Sequence, residues 1–303
     1  MKKKTKICPS SSFIVPRSVG IHDGAFHADE VTAVALLLLF DLIDRSRIVR
    51  SREQQLLDRC EYLCDVGGIL DNTTKRFDHH QAEYKGHLSS AGMVLHYLQE
   101  KKKIDALFAD YLRRSLIQGV DAHDTGRSRL EEGVCSFSQI IANFLPIRYD
   151  ASSEEMQGAF FLALDFTLGH LDRLRKRYLY QKECRAVVEK QMAKKKLFLL
   201  FDEPISWMES FFELGGEKHP ALFVVMPKDD CWKLRAIPPS YQKRMQVRFP
   251  LPKKWAGLQG EDLHEVSKIA GAVFCHKGRF ISIWKTKKDA LAALASVLKE
   301  AGL

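Results

Sequence analysis

The feature that most restricts the fold of this chain is a run of apolar residues, VTAVALLLLF, at Val31–Phe40. It is about half as long as the roughly 20 residues that a membrane-spanning helix needs, so it predicts a helix in the core of a globular domain. The preceding segment, SVGIHD at Ser18–Asp23, has the pattern of a short buried strand, and a Gly turn follows it. A strand that leads directly into a buried helix is typical of an α/β fold.

The same alternation continues along the first half of the chain. Further strands are predicted in RIVRS near residue 49 and at Glu61–Gly68. Helical spacing of apolar residues follows at Ser89–Lys102 and at Ile104–Val120. Strands that alternate with helices of this length favour a parallel sheet with helices on both faces.

The second half of the chain has a different pattern. Helical periodicity dominates residues 151–200, which we interpret as a connector of two helices broken near Gly169. Farther on, Ala221–Pro227 and Cys231–Pro238 flank Lys-Asp-Asp, which indicates a β-hairpin. The sequence therefore predicts an α/β protein with a disordered tail at residues 1–17, a first domain at 18–150, a helical connector at 151–200 and a smaller α/β C-terminal domain at 201–303.

Charge limits the kinds of partner. The 303 residues include 47 Lys and Arg against 38 Asp and Glu, a net charge of +9. Residues 226–288 alone hold fourteen Lys or Arg and five Asp or Glu, so this segment carries the whole excess. Such a concentration favours partners that bear phosphate, although a solvated basic face would have the same composition.

The N-terminus and the cysteines indicate the compartment. MKKKTK has the basic start of a signal peptide, but no apolar stretch of the required length follows. We therefore expect a cytoplasmic protein without membrane association. The seven cysteines are scattered and odd in number, so reduced thiols are expected. Only Cys60 and Cys64 are close in sequence, and a zinc site there would need two further ligands.

Four groups of His and Asp residues lie in the first 125 positions. They are His22, His27 and Asp29; Asp65 in CDVGG; Asp78, His79 and His80 in RFDHHQ; and Asp121 and Asp124 in GVDAHDTG. Each group alone would fit hydrogen-bonded structural residues or turn chemistry. Several of them follow predicted strands, however, and parallel sheets bind ligands beyond the carboxyl ends of their strands.

These side chains predict metal-dependent hydrolysis. Imidazole and carboxylate ligands without thiolates suit Mn²⁺, Fe²⁺, Co²⁺, Mg²⁺ or Zn²⁺. Six or more candidate ligands are too many for one ion and suit a pair about 3.5–4 Å apart, bridged by a carboxylate and a water or hydroxide. Such a pair activates the bridging water and neutralises phosphate oxygens in the transition state.

The order of the motifs resembles that of a known superfamily. H-x4-H-x-D, a lone Asp before two glycines, D-H-H and D-x2-D-T-G occur in the same order in the DHH phosphoesterases. Four segments are together similar to the melanocyte-proliferating-gene-1 family of metal-dependent hydrolases, an uncharacterised protein family: HDGAFHADE, DVGGILDNTTKRFDHHQ, RFPLPKKWAGLQGEDL and FCHKGRFISIWKT. This resemblance implies a DHH-type first domain, with the active site in the cleft between it and the C-terminal domain.

The resemblance also implies a role for each candidate residue. The ligands of the first metal would be His22, His27 and a shared Asp65. Those of the second would be Asp29, Asp65, His79 and Asp124, with Asp121 as the alternative to Asp124. His80 would contact the phosphate and Asp78 would orient it. The C-terminal domain would bind substrate through Arg248, His276, Gly278 and Lys285, although a solvated charge is the alternative for Arg248 and Lys285.

The function implied is 3′-5′ exonuclease action on RNA or short oligonucleotides, with two divalent ions, Mn²⁺ being the favoured metal. Four aromatic residues in the basic region could stack bases or lie in the core: Trp232, Tyr241, Trp255 and Trp284. One alternative is a hydrolase of a small phosphate compound, such as pyrophosphate, a cyclic dinucleotide or a bisphosphorylated nucleoside. Another is a non-catalytic RNA-binding protein that retains the metal site.

Overall fold

The structure, a computed structural model, describes residues 13–129 and 131–303. The predicted disordered tail lies outside the described residues as far as Ser12, and the first strand begins at Val15. The chain divides into two compact units between Tyr178 and Leu179, a boundary that falls within the predicted connector. Each unit contains a five-stranded sheet, so the predicted α/β class is confirmed.

The first unit alternates strands and helices as the sequence predicts. Its elements are β1 (Val15–Ile21), α1 (Ala28–Leu39), β2 (Ile48–Arg50), α2 (Gln54–Leu57), β3 (Cys60–Cys64), β4 (Leu70–Asp71), β5 (Arg76–Phe77), α3 (Ser90–Glu100), α4 (Ala106–Leu112), α5 (Gln118–Asp124), α6 (Phe137–Ala142) and the first part of α7 (Ser153–Met192), which continues into the second unit. The strand order is β2-β1-β3-β5-β4. All neighbouring strands are parallel except β4, which runs antiparallel to β5 at the edge.

Helices cover both faces of this sheet. On one face, Val19 and Ile21 of β1 pack in the main core with α1, whose residues from Val31 to Leu37 are all buried. On the other, Leu57 of α2 and Leu63 of β3 belong to a smaller cluster. Full burial of each such side chain contributes about 1.5–3 kcal/mol, which explains why the apolar run becomes a helix inside the domain.

The predicted break in the connector is wrong. α7 continues without interruption from Ser153 to Met192, and Gly169 lies within it. A glycine inside a helix costs only about 1 kcal/mol relative to alanine. Buried residues on both sides of it, Leu164 and Leu171, pack into the core and offset that cost.

The second unit is built around a mostly antiparallel sheet. Its elements after α7 are β6 (Phe198–Leu200), α8 (Met208–Glu213), β7 (Phe223–Lys228), β8 (Cys231–Ala236), α9 (Gly260–Ser267), β9 (Ala272–Cys275), β10 (Ile281–Trp284) and α10 (Lys287–Glu300). The strand order is β6-β7-β8-β10-β9, in which only β6 and β7 are parallel to each other. The predicted hairpin is confirmed as β7 and β8.

One core of the second unit lies between its sheet and helices α9 and α10. Trp255 and Trp284 belong to this core, their rings 5.5 Å apart, and neither is exposed. They therefore cannot stack on bases, and the core alternative holds for both. Among the described residues, no helix combines the length and apolar character needed to span a bilayer.

Candidate metal centre

Three strand ends of the first unit place polar residues at one edge of the sheet. β1, β3 and β5 are parallel neighbours, and His22, Asp65 and Asp78 are the residues that immediately follow them. Parallel strands end at the same edge, so these side chains lie close together. Glycine at position 24, with a φ of 79°, then turns the chain toward His27 at the start of α1.

The first cluster contains His22, His27, Glu30 and Asp65. Each residue offers a ligand atom within 4.8 Å of the others. Nε2 of His22 lies 3.3 Å from Oδ2 of Asp65 and 3.2 Å from Oε1 of Glu30. The Nδ1–H of His22 donates to the carbonyl of Asp23 at 2.9 Å, so its Nε2 is the atom available to a metal.

The second cluster contains Asp29, His79 and Asp124, again within 4.8 Å of one another. Nε2 of His79 lies 2.9 Å from Oδ2 of Asp124 and 3.9 Å from Oδ2 of Asp29. The same atom lies 3.4 Å from Oδ1 of Asp65. Because the other oxygen of Asp65 faces His22, this one carboxylate lies between the two clusters.

The backbone fixes Asp65 in an uncommon conformation. Its φ is 55°, in the left-handed region, and Gly67 and Gly68 follow with φ values of 98° and 66°. Aspartate tolerates this region better than most residues, but such a conformation still costs energy and is typical of functional sites. The Gly68 amide donates to Oδ2 of Asp78 at 2.6 Å, which ties this loop to the Asp-His-His segment.

Asp29 is a residue of α1, and its carboxylate is held by backbone amides at the start of α3. Its two carboxylate oxygens accept hydrogen bonds from the amides of Ser90 at 3.0 Å and Ala91 at 2.6 Å. Its complete burial, followed by the negative charges of Asp65 and Asp124, raises its pKa well above the usual range. The centre therefore holds more negative charge than its own residues neutralise, and it would be stabilised by cations.

The two histidines respond to the same excess of negative charge. Burial lowers the pKa of His22, but hydrogen bonds with Asp65 and Glu30 outweigh it and raise that pKa to about 10. The carboxylates of Asp124 and Asp65, close to Nε2 of His79, likewise raise the pKa of His79 to about 10. Burial alone would raise the pKa of Asp65, yet His22 and His79 lower it well below its usual value. The protons on His22 and His79 thus occupy positions where metal cations would fit.

Atoms without partners support this fit. Oε2 of Glu30, Oδ1 of Asp65 and Nε2 of His79 are buried and make no hydrogen bond to any described residue. A buried polar atom without a partner costs free energy, about 1–3 kcal/mol, unless a ligand compensates for it. Carboxylate oxygens and imidazole nitrogens in this arrangement suit hard or borderline divalent ions.

His80 pairs with Asp78 and also belongs to a third group that could hold a metal, with Asp65 and His79. The Nδ1–H of His80 donates to Oδ1 of Asp78 at 2.8 Å, and the His80 amide donates to the same oxygen at 3.1 Å. Asp78 is buried, whereas the His80 side chain is 64% exposed. The pair therefore fixes an imidazole whose Nε2 can reach a ligand in the adjoining pocket.

Asp121 and Asp124 lie on the same helix, α5, but their side chains have different partners. Oδ1 of Asp121 accepts hydrogen bonds from Ser89 N at 3.0 Å, Ser89 Oγ at 2.8 Å and Gly92 N at 3.2 Å. The carboxylate of Asp121 thus binds the N-terminus of α3. Of the two aspartates, only Asp124 belongs to a group of described residues that could hold a metal.

A pocket of about 850 Å³ opens onto both clusters. Its lining includes His22, His27, Asp65, His80 and Asp124. The pocket is also lined by His123 and Arg52, which the sequence did not single out. Nε of Arg52 lies 3.2 Å from Oδ1 of Asp23. The volume suits a ligand of nucleotide size, because small-molecule sites span about 300–1,000 Å³.

The predicted substrate-binding residues of the second unit differ in their surroundings. Arg248 is committed to backbone carbonyls: it donates to Gly216, His219, Ala221 and Pro238 at 2.7–3.1 Å. This geometry favours a structural role for Arg248.

The other three predicted residues lie near β9 and β10. Lys285 and Gly278 are exposed and His276 is half-buried. Nδ1 of His276 accepts a hydrogen bond from the Gly278 amide at 2.9 Å, so its proton resides on Nε2.

Glu30 is the member of the centre for which the sequence suggested no ligand role. The available signal was its position three residues after His27, at the third residue of α1, where a carboxylate commonly accepts a hydrogen bond from the cap amide. That bond is present, from His27 N to Oε1 at 2.9 Å. The second carboxylate oxygen remains free for another partner.

Fold and site together define an α/β protein whose first unit carries a candidate centre for divalent cations. The chain belongs to the family described as uncharacterised protein family UPF0160, MYG1_exonuc, whose model matches residues 18–298. The predicted melanocyte-proliferating-gene-1 family is therefore confirmed.

Individual relatives agree with this assignment. The chain is 50% identical to the MYG1 protein of Chlamydia pneumoniae, over 95% of this chain and 99% of that one. It is 29% identical to the MYG1 exonuclease of Homo sapiens, over 96% of this chain and 88% of that one.

Among solved structures, RecJ of Thermus thermophilus in complex with Mn²⁺ aligns with a TM-score of 0.30 and 13% identity. That alignment covers 94% of this chain and 52% of the RecJ chain, so this chain spans about half of RecJ.

Proposed function

We propose that the protein is a metal-dependent phosphodiesterase that acts as a 3′-5′ exonuclease on RNA or short oligonucleotides. The observation that carries the proposal is the pair of ligand clusters on either side of Asp65, at a pocket of nucleotide size. The order of the motifs, which resembles that of DHH phosphoesterases, supports phosphoester hydrolysis. The name of the human relative supports the exonuclease activity.

The centre would hold two divalent ions, for which we propose Mn²⁺. The first would be bound by His22, His27, Asp65 and also Glu30, and the second by Asp29, Asp65, His79 and Asp124. Bound ions of this kind supply an activated water and neutralise phosphate oxygens. Four carboxylates and three imidazoles suit Mn²⁺ better than a thiolate-preferring ion.

The remaining steps belong to residues of the chain. His80, oriented by Asp78, would contact the scissile phosphate and assist departure of the leaving oxygen through Nε2. Asp78 would keep the Nδ1 proton of His80 in place, so that Nε2 faces the pocket. The hydrogen bonds from α3 would keep Asp29 from moving as charge develops.

The proposal is tested with oligoribonucleotides labelled at one end and incubated with the full-length protein and Mn²⁺. A 3′-5′ exonuclease shortens a 5′-labelled strand progressively and releases a labelled mononucleotide at once from a 3′-labelled strand. The opposite pattern would contradict the polarity. Asp65→Asn serves as the inactive control.

Parallel reactions with other substrates separate the alternatives. Turnover of pyrophosphate or a cyclic dinucleotide with intact oligonucleotides would instead identify a hydrolase of small phosphate compounds. Tight RNA binding without hydrolysis in Mn²⁺, Mg²⁺ or Co²⁺ would identify a non-catalytic RNA-binding protein. Neither outcome is expected.

A further inference from the structure

One side of helix α7 faces outward from the first unit. Six of its exposed positions recur at intervals of three or four residues, so they form a single stripe on the helix surface. Residues on the other sides of the helix, among them Phe160, Leu164 and Leu171, are buried in the core of the first unit. We call the six exposed positions the α7 stripe: Glu155, Gly158, Leu162, Phe166, Gly169 and Arg173.

The centre of the α7 stripe is apolar. Leu162 is 64% exposed and Phe166 is 43% exposed. Each therefore keeps apolar surface in water, although its burial would be favourable by about 25 cal/mol per Å². A Cβ atom at Gly158 or Gly169 would meet nothing within 4 Å, so these two helix positions are open as well. An open apolar surface that continues over several turns of a helix indicates an interaction site.

The loop after α6 enlarges this apolar surface. The ring of Phe144 lies 5.5 Å from that of Phe166, and the ring of Phe137 stacks on Phe166 at 6.1 Å. Shortly beyond Phe144 in the chain, Ile147 and Tyr149 are fully exposed. Exposed apolar side chains thus continue from α7 into the neighbouring loop, which gives the surface the width that a protein partner covers.

The two ends of the α7 stripe carry opposite charges. Glu155 lies in the first turn of α7, and Arg173 lies five turns farther on. One carboxylate oxygen of Glu155 accepts the Ser152 amide at 2.7 Å, which leaves the other oxygen for a further partner. Arg173 forms no ion pair with a residue in the described parts of the chain. The exposed Asp165 beside the stripe differs, because both of its oxygens bind the guanidinium of Arg45.

Two copies of the α7 stripe are complementary when the helices pack antiparallel. A twofold axis near residue 164 lies midway between Leu162 and Phe166, so each would contact the other across the axis. The same axis lies midway between the two glycines of the stripe, and also midway between Glu155 and Arg173. Each acidic end would therefore meet the basic end of the other copy. Parallel packing would instead place like charges together, which is unfavourable.

We propose that the α7 stripe is the interface of a homodimer, in which the α7 helices of two copies pack antiparallel about a twofold axis near residue 164. The stripe is about 27 Å long from Glu155 to Arg173, at 1.5 Å per residue. The dimer buries the apolar centre of the stripe and forms two symmetry-related ion pairs at its ends. A lipid surface would leave Glu155 without a cationic partner, so a second copy of the chain fits the charges better. The inference does not depend on the proposed function.

The test measures self-association of the full-length protein by sedimentation velocity, at concentrations from about 0.5 to 100 μM. The wild-type protein should sediment as a dimer in the upper part of this range and dissociate on dilution. Leu162→Glu places a carboxylate against the apolar centre of the interface, so it should raise the dimer Kd about a hundredfold. Leu162→Ala removes apolar area without adding charge and should raise the Kd about tenfold.

A matched control introduces the same charge elsewhere on α7. Leu179 is 51% exposed and lies outside the α7 stripe, so Leu179→Glu should change the dimer Kd by less than about twofold. Equal effects of Leu162→Glu and Leu179→Glu would overturn the inference. A wild-type protein that remains monomeric at the highest concentration would also overturn it, and binding of that monomer to phosphatidylcholine vesicles would identify a lipid surface instead.

Charge reversal tests the antiparallel arrangement. Glu155→Arg and Arg173→Glu each replace two attractive contacts by two repulsive ones, so each variant should raise the dimer Kd about tenfold or more. An equimolar mixture of the two single variants should recover dimers, because the antiparallel heterodimer restores both ion pairs. The double variant Glu155→Arg/Arg173→Glu should recover them alone. Circular dichroism checks that every variant folds. Reversal variants that dimerise like the wild type, or a mixture of folded variants that stays monomeric, would overturn the inference.

Discussion

The metal centre of the first unit and strand β8 of the second unit both place charged side chains out of full contact with water, but in opposite ways. In the metal centre, carboxylates such as Asp29 are fixed by backbone amides, so their positions are set before any ligand binds. On β8, Lys233 and Arg235 are long, half-buried side chains held mainly by their strand, and the Arg235 guanidinium lies 6.0 Å from the ring of Phe280.

The difference teaches what each region can bind. Rigid, converging carboxylates suit small cations that demand defined geometry. The long, flexible side chains of lysine and arginine impose no such fixed geometry on a ligand. If this comparison holds, substitutions in the metal centre should have the largest effects on catalysis.

The largest effect is expected from His79→Ala. His79 faces carboxylates of both clusters, so its loss should remove several kcal/mol of transition-state stabilisation, about a thousandfold or more in rate. The measurements are nucleotide release in Mn²⁺ and the number of Mn²⁺ ions bound. His96→Ala, an exposed histidine on α3, is the control. Normal activity with full Mn²⁺ occupancy in His79→Ala would contradict the metal centre.

A smaller loss is expected from His80→Ala. If His80 acts on the phosphate, its removal should slow hydrolysis about 10²- to 10³-fold and leave Mn²⁺ affinity unchanged. Rate and Mn²⁺ affinity are measured on the same preparation. A parallel fall in both would instead make His80 a ligand, since it also lies 3.3 Å from Oδ1 of Asp65.

Arg248→Gln sharpens the contrast between partnered and unpartnered cations. Its guanidinium donates to four backbone carbonyls, so the variant should lower the free energy of unfolding by about 3 kcal/mol. Urea unfolding measures this change. The folded fraction should bind a fluorescein-labelled single-stranded oligoribonucleotide with the wild-type affinity, measured by anisotropy in EDTA. A variant of wild-type stability that binds RNA weakly would return Arg248 to the substrate surface.

Asp121→Asn and Asp124→Asn should separate two roles on one helix. Asp121→Asn weakens three hydrogen bonds at the start of α3, so the metal-free protein should lose about 1–2 kcal/mol of stability and retain Mn²⁺ binding. Asp124→Asn should instead weaken Mn²⁺ binding and leave the stability of the metal-free protein unchanged. Thermal unfolding with and without Mn²⁺ distinguishes the two variants. If Mn²⁺ raised the unfolding temperature of both by the same amount, the assignment of Asp124 as a metal ligand would be contradicted.

The smallest effect is expected from Glu30→Gln. The amide oxygen can still accept the His27 amide proton, but the charge is lost, so Mn²⁺ affinity should fall about tenfold with little change in metal-free stability. Isothermal titration with Mn²⁺ measures the affinity. Glu155→Gln is the matched control, because Glu155 accepts the Ser152 amide at the start of α7. Equal Mn²⁺ affinity in both variants would leave Glu30 a capping residue only.

Local patterns were sufficient for much of the fold. The apolar run predicted α1, because a segment that is apolar on every side has to be buried in the core. The hairpin of β7 and β8 followed from its turn residues. The grouping of His22, Asp65 and His79 followed from a single rule, that parallel strands end at one edge.

Long-range contacts decided the rest. The free energy that keeps α7 continuous through Gly169 comes from tertiary packing, which local propensity does not contain. The partners of Arg248 are carbonyls up to 32 residues away, so its sequence neighbours give no indication of them. Glu30 approaches His22 only because the Gly24 turn reverses the chain, and the sequence does not specify that geometry.

The hydrogen bonds of Asp121 have a consequence for how this family can vary. A Cβ atom at Gly92 would lie 2.6 Å from both carboxylate oxygens of Asp121, closer than atoms pack. Gly92 can therefore be replaced only if the residue at position 121 changes as well. A larger residue at 92 requires a shorter one at 121, which makes the pair a marker of co-substitution among relatives.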